Sequence, residues 1–198
     1  MSGTFPTNPN FSSINFKDNR PTLINQTLSG KRQVRQIGSQ YFSFTVQMPP
    51  MEREKAQEIF AFLQSQKGMS GEFQITPPLD NLGAAKNETD ILVNGAHVVG
   101  DSTIAMDGFT AGQTGVLKAG DLIKFANHSK VYMVSFDVDH DSAAVTISPP
   151  LITALTNNLG VTVNKPLFTV YLENNEIVKS EGSSGFTSIS FDVREVIV

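Results

Sequence analysis

Cysteine is absent from this chain of 198 residues, so no disulfide, thiolate metal site or thiol nucleophile can form. Folding must rest on burial and backbone hydrogen bonds. Tryptophan is also absent, and tyrosine occurs only at positions 41, 132 and 171, which leaves few of the aromatic platforms that sugar clefts present. Charged residues make up only 17% and the formal net charge is -4. Nucleic-acid binding needs clustered Lys and Arg to displace counterions, so direct binding is not expected. No run of about 18 apolar residues occurs, and Met1 to Asn10 lacks the basic start and apolar stretch of a signal peptide. The chain is therefore expected to be made in a cytosol.

Catalytic signatures are missing as well. No GxGxxG leads from a strand into a helix, no phosphate loop ends in Gly-Lys-Ser/Thr, and no Gly-x-Ser-x-Gly elbow occurs. His97, His128 and His140 lack the close spacing of a metal pair, and the last two read as surface turn residues. Asp137, Asp139 and Asp141 open like a calcium loop, but Ser142 stands where glycine is needed and Ser148 where the closing carboxylate is needed. A solvated hairpin turn is the reading preferred. Paired carboxylates of a glycosidase leave no sequence spacing to test. No cofactor, no metal and no enzymatic activity are expected.

What is present is strand patterning. Phe42, Phe44, Val46 and Met48 alternate with Ser43, Thr45 and Gln47, the period of a half-buried strand, and Pro49-Pro50 ends it. From Met51 to Lys67 the period changes: Ala56, Ile59, Phe60 and Leu63 share one helical face, with Gly68 free to cap in the left-handed region. Glu72 to Thr76 reads as a strand closed by Pro77-Pro78. Three further strands, 122–125, 131–136 and 145–148, form a meander, and 91–93 with 98–99 could complete a small barrel. Near the C-terminus, 167–172 and 177–178 flank an Asn174-Asn175 turn. Ile189, Phe191 and Val193 then alternate with Ser190, Asp192 and Arg194, and these strands are expected to pair with the Tyr41 strand. Ile75 to Leu79 echoes Ile147 to Leu151, which reads as two strands that both end in Pro-Pro.

The expected fold is mainly β, a sandwich or split barrel with one flanking helix, 51–67. The body is discontinuous, 1–83 plus 152–198, and 84–151 is an inserted small β domain. The first forty residues offer short strands or an extended arm, and Lys31, Arg32 and Arg35 form the basic cluster, an ion-pairing arm or a solvated face.

The order of elements carries a resemblance. A polar arm runs into Arg35-Gln36-Ile37-Gly38-Ser39-Gln40-Tyr41-Phe42, then Pro49-Pro50-Met51-Glu52-Arg53-Glu54 and the helix ending Phe60-Ala61-Phe62-Leu63. Lys118 to Phe125, Lys130-Val131-Tyr132, Ile147 to Leu151 and Phe191 to Glu195 complete it. This pattern resembles bacteriophage tail and baseplate structural proteins of the distal-tail or tail-tube-associated type. The resemblance implies a tail-tube-like β fold and a cyclic ring of copies, with a hexamer the expected order. The ring surrounds a channel through which DNA only passes, joins the tube to other tail or baseplate proteins, and carries the inserted domain outside. The candidate assembly surfaces are Lys31, Arg32 and Arg35 on the arm and Asn174 and Asn175 at the hairpin turn. The alternatives are a receptor- or carbohydrate-binding module using the inserted domain, and a wall-degrading hydrolase.

Overall fold

A computed structural model describes residues 3–6, 10–78, 80–140, 144–182 and 185–197. The strands are β1 Ser13–Asn19, β2 Thr22–Gln26, β3 Arg32–Gln36, β4 Tyr41–Gln47, β5 Met51–Glu52, β6 Glu72–Ile75, β7 Leu92–Val93 and β8 Thr103–Asp107. There follow β9 Leu122–Phe125, β10 Val131–Val134, β11 Ala144–Ser148, β12 Val161–Thr162, β13 Phe168–Leu172, β14 Val178–Glu181 and β15 Phe186–Glu195. One α-helix, α1 Arg53–Ser65, completes a mainly β protein. It divides into two compact units, one holding the chain up to Phe73 with Val170–Val196, the other Gln74–Thr169.

The first unit is built on a sheet in the order β1-β4-β15-β13-β6. The Tyr41 strand pairs with the C-terminal strand, as its alternation led one to expect: Val46 opposes Phe191 and Phe44 opposes Val193. One face of these strands is apolar and buried, with Phe42, Phe44, Val46, Ile189 and Val193 all at most 1% exposed. Helix α1 buries Ala56, Ile59 and Leu63 and packs against β15. It starts two residues later than its period suggests because Met51 and Glu52 are spent as β5, opposite Thr187 and Phe186. Strand pairing there satisfies backbone groups that a longer helix would leave orphaned at its start.

Asn174 and Asn175 are not the turn of a hairpin. β13 and β14 both pair antiparallel with β15, so they run in the same direction, end to end along one edge of it. The asparagines sit in the loop where that interrupted edge bulges away. β14 and β15 are the true hairpin partners, and Ser183-Ser184 of their connection lie outside the described residues.

The second unit is a six-stranded, nearly closed barrel, β12-β9-β10-β11-β8-β7. The β9-β10-β11 meander stands as its pattern suggested. An isolated bridge between Leu92 and Gly160, with Val161 N donating to the Ile91 carbonyl, ties the two end strands together. Ile91, Val93, Ile104, Met106, Ile123, Phe125, Tyr132, Val145 and Ile147 fill the interior. Residues 152–169, which the sequence pattern groups with the body, belong here because β12 pairs with β9. Residues 75–78 and 80–83 do too: the Asn81 amide nitrogen donates to the carbonyls of Leu122 and Val163 at 2.8 and 2.6 Å. Val98 and Val99 form no strand; they stand exposed in a turn where Asp101 N donates to the Val98 carbonyl. The chain leaves the first unit within β6 and returns within β13, and these two strands are neighbours in one sheet.

Candidate assembly surfaces

The basic cluster lies on a feature that composition alone does not reveal. β2 and β3 pair only with each other, Leu23 opposite Arg35 and Ile24 opposite Val34, and every residue of both strands is exposed. Thr27 ties the connecting turn: its backbone N–H donates to the Lys31 carbonyl, and its hydroxyl accepts from Lys31 N at 3.1 Å. Leu23, Ile24, Val34 and Ile37 are each more than half exposed, and Leu28 at the tip is fully so. Lys31, Arg32 and Arg35 have no ion-pair partner among the described residues. A lone two-stranded hairpin is marginal in water, and this one shows apolar side chains on both faces.

The face of the first unit's sheet opposite its core is different, because its polar side chains satisfy one another. Lys17 Nζ donates to Thr45 Oγ1 at 3.2 Å, and Thr45 Oγ1 donates to Asp192 Oδ1 at 2.6 Å. Asn174 Nδ2 donates to Asp192 Oδ2 at 3.3 Å, and Asn19 Nδ2 to Ser43 Oγ at 2.9 Å. The Arg194 guanidinium lies 3.6 Å over the Tyr41 ring, a cation–π contact. Hydrogen bonds and a cation–π contact engage these groups, so this face can stay wet without a cover. Asn175 is tied inward as well, its Oδ1 accepting from Met69 N at 3.2 Å. Both asparagines line a cleft of about 490 Å³ with Thr45, Glu176, Val178, Ser190, Phe191 and Asp192. The structure does not bring them together with Lys31, Arg32 and Arg35 in any contact.

The sheet is open. β1 is one lateral edge, and β6 and β14 lie at the other, each with an outer side that no strand among the described residues pairs.

The groups weighed for chemistry are engaged elsewhere. Asp137 accepts from Ala119 N and from Lys118 Nζ, and the ammonium holds its carboxyl below the usual range; Asp139 accepts from Gly115 N. Both brace a loop, while Asp141 and Ser142 lie outside the described residues. Among the described residues no three metal-ligating side chains come together, and no helix is long and apolar enough to cross a membrane. His97 accepts from Ala105 N.

His128 is not simply a surface turn residue. Its half-buried ring stacks on Phe125 and meets Tyr132 edge-on, with Nε2 2.8 Å from the Tyr132 hydroxyl. That hydroxyl also accepts from Ile152 N, and Nδ1 lies 2.6 Å from Asn127 Oδ1. Burial, with Lys124 and Lys130 nearby, pushes the His128 pKa down to about 4. An unfolded histidine takes its proton near 6.5, so His128 contributes full stability above that pH and loses it as pH falls toward 4. With the ring half solvated, we expect the second unit to lose on the order of 1–2 kcal/mol over that window. Urea unfolding across pH checks this: His128→Asn should flatten the dependence, and an unchanged slope would assign it to other groups.

Two comparisons bear on identity. Residues 86–170 match the family described as distal tail protein pb9, B domain. Over 192 residues the chain is 26% identical to the distal tail protein pb9 of Escherichia phage T5, covering 93% of this chain and 91% of that protein. Both findings support a phage tail protein. They support a structural role in the virion tail. The family match falls within the barrel and its flanks.

Proposed function

We propose that this chain closes into a cyclic ring around the tail channel, with a hexamer the expected order, and joins the tube to distal tail or baseplate proteins. The observation that carries the reading is the β2–β3 hairpin, exposed on both faces. Its apolar side chains gain most by lying on another copy, where burying each contributes about 1–2 kcal/mol. Its unpaired Lys31, Arg32 and Arg35 meet a chain that is acidic overall. Unpaired strand edges on opposite sides of one sheet favour head-to-tail pairing, and such contacts close into rings. The self-satisfied polar face suits the channel wall, since Thr45 engages Lys17, Tyr41 engages Arg194, and the Asp192 carboxylate lies among them. In this reading 84–151 and its flanks form an inserted domain on a discontinuous body.

A recognition module for sugars has less behind it. Among the described residues Phe136 is the exposed aromatic of the second unit, whereas Phe125, Tyr132 and Phe168 are fully buried.

Light scattering across a concentration series, followed by negative-stain microscopy, tests the ring. The full chain is expected to give closed rings with a central hole, and a chain lacking residues 22–36 is expected to remain monomeric with an unchanged melt. A full chain monomeric at every concentration, alone and with tail partners, overturns the reading.

A further inference from the structure

Asn94 and Gly95 form the Asn-Gly pair in the connection from β7 to β8. This dipeptide is prone to a particular self-modification. The backbone nitrogen of the glycine attacks the side-chain carbonyl carbon of the asparagine, the glycine N–H proton is lost, and ammonia leaves. Water then opens the resulting succinimide at either carbonyl, giving aspartate or isoaspartate. Here the ingredients are partly exposed and partly withheld. Asn94 is exposed and its side chain makes no hydrogen bond among the described residues. Gly95 sits in the left-handed region at φ 89, and a Cβ there would meet open space. The nucleophile itself is occupied, because Gly95 N donates to Asn157 Oδ1 at 2.7 Å.

We propose that Asn94–Gly95 is a deamidation site of this protein and that Asn157, from the β11–β12 connection, sets its rate by holding the attacking nitrogen. The hydrogen bond holds the peptide N–H in place and so hinders its swing toward the Asn94 side-chain carbonyl that ring closure requires. Asn94 N also donates to the Ala105 carbonyl at 2.9 Å, and Val93 beside it is fully buried opposite Met106. Isoaspartate would insert an extra methylene into the main chain at this point and add a negative charge. It would therefore strain the β7–β8 pairing that helps to close the barrel, giving the second unit a chemical lifetime governed by one side chain four strands away in sequence.

Mass spectrometry of the peptide containing Asn94, after ageing the intact protein in buffer, tests this. Asn157→Ala is expected to gain the one-dalton product severalfold faster than the unmodified chain, while Asn157→Asp, which keeps an acceptor oxygen, keeps the slow rate. In urea, where the hydrogen bond is gone from both, the rates should coincide. Equal rates for the Ala variant and the unmodified chain in buffer, or a fast Asp variant, overturn the proposal. Should the Ala variant fail to fold, the unmodified chain decides alone: Asn94 is expected to react severalfold faster in urea than in buffer, and an equal rate overturns the proposal.

Discussion

Replacing Phe5 by alanine is expected to lower the stability of the first unit by about 4 kcal/mol, a large fraction of what a domain has. Phe5 lies in the polar, Pro/Asn-rich start of the chain, yet it is 1% exposed. Its ring stacks on Phe11 at 5.6 Å between centroids, meets Phe62 edge-on at 5.8 Å, and lies 5.3 Å from Phe191 and 6.3 Å from Phe73. It thus joins helix α1, strand β6 and strand β15 in one aromatic cluster. Removing it deletes the ring's transfer energy and leaves a cavity among side chains already fixed by other contacts, so the site cannot collapse around the loss. Urea unfolding reads the stability, and limited proteolysis reads whether the N-terminal segment comes free. A loss under about 1 kcal/mol would mean that Phe5 merely rests on the cluster. Phe5→Leu, which keeps most of the apolar volume, is expected to recover over half of the stability.

Asp121→Ala is expected to destabilise the second unit by about 3–5 kcal/mol. The carboxylate is 3% exposed and accepts three backbone N–H groups: Leu82 at 2.7 Å, Gly83 at 3.0 Å and Lys118 at 2.8 Å. It gathers the incoming chain, the 115–120 loop and the start of β9 onto one side chain. Alanine leaves those donors without their acceptor, and at the buried Gly83 N–H this costs more than the hydrogen bond itself contributes. Asp121→Asn keeps one acceptor oxygen but turns an amide toward the other donors, so an intermediate loss is expected. Gly83→Ala probes the same junction differently, because an added methyl would collide with the Val116 carbonyl. Denaturation of the full chain, followed by a probe in the barrel such as Tyr132 fluorescence, measures all three. An Asp121→Ala chain as stable as the original would show that water replaces the carboxylate.

Neither residue announces itself in the chain. Phe5 has no periodic neighbours, and Asp121 stands in a Gly-Asp turn of ordinary composition. By contrast, the alternation of Phe42, Phe44 and Val46 and the helical spacing of Ala56, Ile59 and Leu63 were legible, because each element buries one continuous face. The candidate assembly surface was legible in part. Lys31, Arg32 and Arg35 could be picked out by charge, but their neighbours Leu23, Ile24, Val34 and Ile37 look like any short strand destined for a core. Only the pairing of β2 with β3 alone shows that these apolar groups stay uncovered within the chain. Asn174-Asn175 read as a hairpin because that dipeptide suits a turn between strands, and nothing local states that both flanking strands share the same partner.

The sequence by itself determined the class: a cysteine-free, mainly β protein with one amphipathic helix, a discontinuous body and no catalytic signature, whose order of elements resembles phage tail proteins. These properties are written in composition and in periods of two and 3.6 residues, which depend on near neighbours alone. The tertiary structure decided that 152–169 joins the barrel, that β13 and β14 form one interrupted edge, that His128 is held neutral and that Asn157 reaches Gly95. Each of these rests on contacts between residues far apart in the chain, whose partners are chosen by what the whole core leaves unpaired.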